Sequence, residues 1–354
     1  MSDSEAPTSP STVIRATTDT LPGAALVVGG LTVVERAIRQ RAALSGARVT
    51  VLSDGKVPLP AALPPNVSVA DAASAPATPD DVPANLVDPA GRPGTGAAPI
   101  LVTDQATRAR AEDAIFTELL RGDLGIVARY LNKPISFRLT RHIFCRLPFT
   151  PNQITLGAGV LGLVGAALIS RGSYLAVVLG FLLAHVQSIL DGCDGELARV
   201  RFQRSAIGEW LDTFVDDGLN LALIAAVACA VRNPERSSLP TFAPIVAWVS
   251  FGMMLFYNIV TYRELVRQGE GGSVLKVRWW FTGGAEVKVM AGTGKKGLAA
   301  FLFNLGRRDV FVLVWLILAI VDRLNVVVLF AFVVAAVSFV VGAGQLLLPR
   351  RTSR

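Results

Sequence analysis

Cysteine is nearly absent. Cys145, Cys193 and Cys229 are the only three in 354 residues, and none stands in a CxxC pair. That excludes a zinc ribbon or a dense disulfide framework and leaves reduced, packing thiols as the expectation. Histidine is scarcer still, with two residues. His185 lies six positions before Asp191 and therefore off its helical face, which favours packing over metal ligation, and His142 is expected at an interface. Charged residues make up only 17% of the chain against 52% hydrophobic, and the mean hydropathy is +0.50. An ordinary soluble domain is thereby excluded. The basic residues form no aromatic-interleaved repeat, so the net charge of +7 reads as membrane topology and attraction to anionic headgroups, and no nucleic acid is expected as a partner.

Long apolar runs are what the chain has instead. A bilayer core takes about 20 apolar residues per helix. Six segments come close: Thr155 to Ser170, Tyr174 to Leu190, Leu211 to Val231, Phe242 to Val266, Val310 to Val321 and Val326 to Leu348. Basic residues gather in alternate connections, at Arg199, Arg201 and Arg204, then from Arg267 through Lys276, Arg278, Lys288, Lys295 and Lys296 to Arg307 and Arg308, then at Arg350, Arg351 and Arg354. The other connections carry Arg171, then Arg232 and Arg236, then Arg323. Lys and Arg mark the cytoplasmic side of short loops, so both termini are expected there. The polar start, MSDSEAPTSPST, is not a cleavable signal peptide.

Ahead of these runs the chain reads as a tail over residues 1–20 and a small soluble α/β domain over 21–118, followed by a membrane domain over 119–350. AALVVGG and RVTVLSDG read as strands, LTVVERAIRQRAALSGA as a helix stopped by Gly46, and ILVTD as a later strand. Pro and Ala dominate 58–99, as in loops or a linker. Asp123 to Leu147 interleaves Arg129, Lys133, Arg138, Arg141 and Arg146 with Leu, Ile and Phe, the pattern of an amphipathic helix on a membrane surface.

The carboxylates carry the chemistry. Asp191 and Asp194 are three apart and share a helical face that Ala198 and Arg199 extend, while Gly208, Asp212 and Asp216 fall four apart along one stripe of the next helix. Four acids converging at a bilayer edge would repel one another, and divalent Mg²⁺ or Mn²⁺ resolves that conflict. Two such ions can hold a pyrophosphate. Gly195, Ala198 and Gly208 leave room for a flat base or a ribose close to the backbone. Arg307 and Arg308 are candidates for gripping an acceptor's phosphate. Gln187, one turn before Asp191, supports it or makes a helix–helix hydrogen bond elsewhere, whereas Glu196, Glu209 and Asp217 fall off both stripes as solvated or pairing residues. GTGKKG at 292–297 is not a P-loop, because Val289 and Lys296 stand where that motif needs Gly and Ser or Thr.

Asp191-x2-Asp194-Gly195-x2-Ala198-Arg199-x8-Gly208-x3-Asp212-x3-Asp216 resembles the eight-position signature of the CDP-alcohol phosphotransferase family without a departure. TPNQIT at Thr150 to Thr155 resembles that family's first membrane helix. The resemblance implies an all-α polytopic membrane domain of six transmembrane helices plus a juxtamembrane amphipathic helix. It implies two ions, Mg²⁺ or Mn²⁺, on Asp191, Asp194, Asp212 and Asp216, with Asp216 also the base for the acceptor hydroxyl. Gly195, Ala198, Arg199, Ser205 and Gly208, with Asn152, Gln153, Ile154 and Thr155, would hold the CDP-alcohol donor, and CMP would leave. The fused α/β unit, LNKPISFRLTR and GRRD at Gly306 to Asp309 look most like the di-myo-inositol-phosphate phosphate synthases.

The α/β unit itself resembles part of the sugar-phosphate nucleotidyltransferases, but VGGLTVVER lacks their glycine-rich nucleotide loop. A degenerate scaffold is expected, dispensable for the transfer chemistry. The expected partners are a CDP-alcohol donor, a hydroxyl acceptor (a lipid or an inositol phosphate), the lipid bilayer and a second copy of the chain in a homodimer. The competing reading is a divalent-cation transporter, whose carboxylates would sit near mid-bilayer with polar residues on several helices.

Overall fold

The computed structural model describes residues 12–17, 20–45, 49–74, 82–87, 98–120, 125–234, 240–269, 272, 277–280 and 307–347. GTGKKG and the basic residues Lys276, Lys288, Lys295, Lys296, Arg350, Arg351 and Arg354 lie outside them. The chain forms two compact units. One takes Met1–Gly122 with Thr140–Pro148 and Glu196–Gln203, and the other takes the remainder.

In the first unit, a four-stranded parallel sheet runs in the order β5-β4-β1-β6, with β1 Thr12–Ala16, β4 Val49–Ser53, β5 Val67–Asp71 and β6 Val82–Pro83. The expected tail over 1–20 is therefore corrected at Thr12–Ala16. Ile14 and Ala16 are fully buried, and β1 pairs Thr12 with Val49 through to Ala16 with Ser53. The alternation of apolar residues in TVIRA was legible, but its polar flank hid it. AALVVGG is not one strand either. It splits into a short helix α1 (Leu21–Ala24) and a hairpin of β2 (Val27–Val28) with β3 (Leu31–Thr32). Gly29 and Gly30, at φ 59° and 81°, make the turn, a backbone that two consecutive glycines adopt without strain.

Helix α2 (Val33–Ser45) packs Val34 and Ile38 against Val49 and Val51. The pair β7 (Leu86–Val87) and β8 (Ile100–Leu101) precedes α3 (Gln105–Leu119), which opens on an Asp104–Thr107 capping box. That bonding holds the Asp104 carboxyl below its usual range. Residues 140–148 join this unit through polar contacts. The Thr140 hydroxyl donates to buried Glu196 at 2.7 Å, and Arg141 pairs with Asp113 at 2.6 Å and with Glu112 at 3.4 Å. Burial pushes the Cys145 thiol up to about 11. Cys145 is accordingly expected to stay unlabelled by maleimide at pH 7.5 until the protein is unfolded, as mass spectrometry would read.

The second unit is helical. A π-turn over Ala128–Asn132 leads into α4 (Lys133–Leu139), so the expected amphipathic helix is wound in pieces, the next of which, a π-turn over Thr140–Phe144, belongs to the first unit. Then come α5 (Pro151–Ile169), α6 (Tyr174–Val200), α7 (Ala206–Ala230), α8 (Ala243–Gln268), α9 (Arg308–Ile320) and α10 (Leu324–Leu347).

Five of these, α5 to α8 and α10, are long and apolar enough to cross a membrane. The sixth expected span, α9, is not among them: its 13 residues rise about 20 Å against a hydrocarbon core of about 30 Å. Large apolar side chains such as Leu156, Val160, Trp248, Ile259, Val337 and Val340 are exposed on these helices, which suits lipid as the solvent and is costly in water. Phe181, Leu223, Trp315 and Leu324 meet in the interior, where Phe181 and Trp315 pack edge to face at 5.9 Å.

Helices α5 and α6 approach closely because both contribute glycine. A Cβ on Gly165 would lie 2.7 Å from the Gly180 oxygen, and one on Gly180 would lie 2.5 Å from the Gly165 oxygen. That closeness sets α5 against α6 and so positions the residues described next.

Candidate metal and donor site

Helix α6 continues well past its apolar run, and its later turns carry Asp191 and Asp194, while α7 begins at a Ser205 cap and carries Asp212 within its first turns. One carboxylate oxygen from each of Asp191, Asp194 and Asp212 lies within 4.8 Å of the others. Asp194 is buried, and the other two are half-buried. Asp191 Oδ1 is shielded from solvent and has no hydrogen-bond partner among the described residues. An all-oxygen donor set with an unmet buried lone pair fits a hard divalent cation such as Mg²⁺ or Mn²⁺.

The start of α5 supports this cluster. Thr150 and Gln153 form a reciprocal capping box, with Gln153 accepting from the Thr150 N–H at 2.9 Å. The cap sets α5 so that the Thr155 hydroxyl donates to Asp194. Of the four α5 residues expected to hold a donor, Gln153 thus caps the helix, Ile154 is buried, Thr155 orients a carboxylate, and Asn152 faces α7. A Cβ on Gly208 would lie 3.1 Å from Asn152 Oδ1 and from Ser205 Oγ. The Ser205 hydroxyl accepts from the Gly208 N–H at 3.0 Å as the α7 cap. Gly195 sits one position beyond Asp194, half-buried, while Ala198 (half-buried) and Arg199 (exposed) occupy the last turn of α6. Thr155→Val keeps the shape but removes the donor to Asp194, and the apparent divalent-ion affinity is expected to fall about tenfold, read from the metal dependence of activity.

Asp216 is not in the carboxylate triad. Arg308 donates to it through Nη1 and to Gln187 Oε1 through Nη2 at 2.6 Å. Gln187 accepts from Arg308 of another helix, the second of its two expected roles. Arg308 also lies close enough to Asp191 and Asp212 to act on them electrostatically. Arg307 points elsewhere, pairing with Asp309 at 3.4 Å, and Asp309 in turn accepts from the Ala128 N–H at 2.9 Å. The two arginines therefore have different partners. Arg308 faces the acids, whereas Arg307 and Asp309 secure the juxtamembrane segment.

Lys133 was read only as part of an amphipathic stripe, yet it interacts with Asp191, and a Cβ on Gly192 would lie 3.5 Å from its Nζ. Its period on α4 was visible, but its neighbour was not. Asp217 is a pairing residue, bonded to the Tyr262 hydroxyl.

Residues 149–294 match the family model described as CDP-alcohol phosphatidyltransferase. This region is similar to that family. It holds the carboxylate triad, the α5 cap and Asp216, and it ends before Arg307 and Arg308. Among curated relatives, a bifunctional IPC transferase and DIPP synthase of Aquifex aeolicus (strain VF5) is 32% identical over 140 residues, 39% of this chain and 30% of that protein. Proteins of the same description from Archaeoglobus fulgidus and Thermococcus kodakarensis are 31% and 38% identical, over 38% and 28% of this chain. The matches cover 26% and 23% of those two proteins. The chain thus spans under a third of the length of each of these relatives.

Proposed function

We propose that this chain is a membrane transferase that moves a phospho-alcohol from a CDP-alcohol donor to a hydroxyl acceptor and releases CMP. The observation that carries the reading is the convergence of Asp191, Asp194 and Asp212 within a region similar to the CDP-alcohol phosphatidyltransferase family. The names of the relatives favour CDP-inositol over CDP-diacylglycerol as the donor. Asp191, Asp194 and Asp212 would hold a divalent cation, which when bound supplies positive charge for the pyrophosphate oxygens.

The acceptor oxygen attacks the β-phosphorus, the bond to CMP breaks, and the acceptor's proton passes to Asp216. Arg308, donating to Asp216, places a fixed positive charge beside that carboxylate and offers its guanidinium to an incoming phosphate. A single ion on the triad needs no rearrangement. The two-ion stoichiometry expected from the sequence pattern requires Asp216 to part from Arg308. The positive-charge pattern supports a cytoplasmic site with both termini on the same side.

A transporter would place its acids near mid-helix, whereas here they lie toward the adjoining ends of α6 and α7. Incubating the purified protein with CDP-inositol or CDP-diacylglycerol, with and without acceptors, and measuring CMP tests the proposal. Divalent-dependent, acceptor-dependent CMP release supports it, and none with any donor overturns it.

A further inference from the structure

The glycine pair that reads in the sequence as too sparse for a nucleotide loop is filled by protein. A Cβ on Gly29 would lie 2.4 Å from Val200 Cγ1, and one on Gly30 would lie 2.5 Å from the Cys145 oxygen and 2.9 Å from Arg201 Nε. The β2–β3 turn therefore presses its bare backbone onto the last turn of α6. Beside it, Arg36 of α2 is buried and donates through Nη2 to the Val200 oxygen at 2.6 Å and to the Val28 oxygen at 3.1 Å. Burial pulls its guanidinium down to about 10, so it stays charged at neutral pH.

The helix end that it caps is strained. Phe202 follows α6 at φ 54°, a left-handed conformation that glycine normally supplies at this position. The Phe202 N–H reaches the Arg199 oxygen at 3.4 Å and the Gln203 N–H the Ala198 oxygen at 2.9 Å, the paired bonds of a Schellman turn. The Arg36 guanidinium lies over the Phe202 ring, 5.4 Å from its centre. Arg201, on the same turn, donates to the oxygens of Phe144, Cys145 and Leu147 at 3.0, 3.2 and 3.1 Å.

We propose that Arg36 is a positioning residue for the donor, and that the α/β unit has exchanged a nucleotide loop for a clamp holding a strained turn whose carbonyl acceptors belong to Ala198 and Arg199. This rests on the proposed transfer reaction, in which Ala198 and Arg199 hold the donor. It replaces the expectation that the unit is dispensable. The clamp acts on the end of α6 and touches none of the three clustered carboxylates, so its loss weakens donor binding and spares the chemical step.

In the full chain, Arg36→Met is expected to raise the donor KM about tenfold with kcat within about twofold. Amide exchange at 201–203 is expected to quicken about tenfold. Phe202→Ala, which leaves the α2 core intact and removes only the ring, should shift both readouts the same way by less. Phe202→Gly removes the strain that Arg36 restrains, and in the Arg36→Met background it should recover both. A structural defect confined to the core of the α/β unit would lower the active fraction, leave the donor KM unchanged and gain nothing from Phe202→Gly.

Unchanged exchange at 201–203 in Arg36→Met, or an unchanged donor KM, overturns the inference. So does an unchanged Phe202→Ala if Arg36→Met fails to fold. If the unmodified protein releases no CMP from any donor, the proposed reaction fails and the donor role of Arg36 fails with it. The exchange measurement still decides the clamp.

Discussion

Asp216→Asn is expected to cut turnover by about 10²-fold or more while the donor KM changes little. The substitution keeps the shape and one oxygen but removes the proton acceptor and a negative charge. Asp216 meets Arg308 and stands apart from the Asp191, Asp194 and Asp212 group, so its loss leaves that cluster intact. Asp217→Asn is the internal control. It lies about 100° around the helix and can still accept the Tyr262 hydroxyl that Asp217 holds, so a small effect is expected. The profile of kcat against pH separates a base from a mere partner of Arg308. If Asp216 takes the proton, the acid limb should vanish in Asp216→Asn and persist in Arg308→Gln. Equal losses in Asp216→Asn and Asp217→Asn, or full activity in the former, would place the proton acceptor elsewhere.

Removing divalent ions is expected to abolish CMP release, with Mg²⁺ or Mn²⁺ restoring it. Three carboxylate oxygens within 4.8 Å repel one another unless a cation sits among them, and the buried Asp191 Oδ1 has no hydrogen-bond partner among the described residues. Asp194→Asn should produce the same loss at saturating metal, because it removes the negative charge of the most buried of the three carboxylates, the one that Thr155 orients. Isothermal titration of the metal-free protein with Mn²⁺ gives an independent reading. Binding is expected in the unmodified chain and much weakened in Asp194→Asn. Full activity in excess chelator would end the metal reading, and a stoichiometry of one would confine the ion to the triad.

What the sequence determined by itself is whatever depends on local spacing. Three-residue and four-residue intervals placed Asp191 with Asp194, and Gly208 with Asp212 and Asp216, on single helical faces, because the period of a helix is a property of the backbone. The apolar runs determined five of the spans for the same kind of reason, since length and composition alone set whether a helix can cross. Strand β1 escaped notice because its five residues owe their order to the neighbouring β4, and a short strand is stabilised mainly by its partners.

Partnership across the chain was beyond local reading. Asp212 joined Asp191 and Asp194 while Asp216, on the same stripe, took Arg308 from a helix 92 residues away. Spacing places a side chain on a face, but which opposite charge reaches it depends on how the helices pack. Arg36 and Val200 are 164 residues apart, and only the folded unit could show a buried arginine capping that carbonyl. A hydrogen bond closed over such a distance in sequence leaves no periodicity to find, because the groups it satisfies are fixed by the tertiary contact itself.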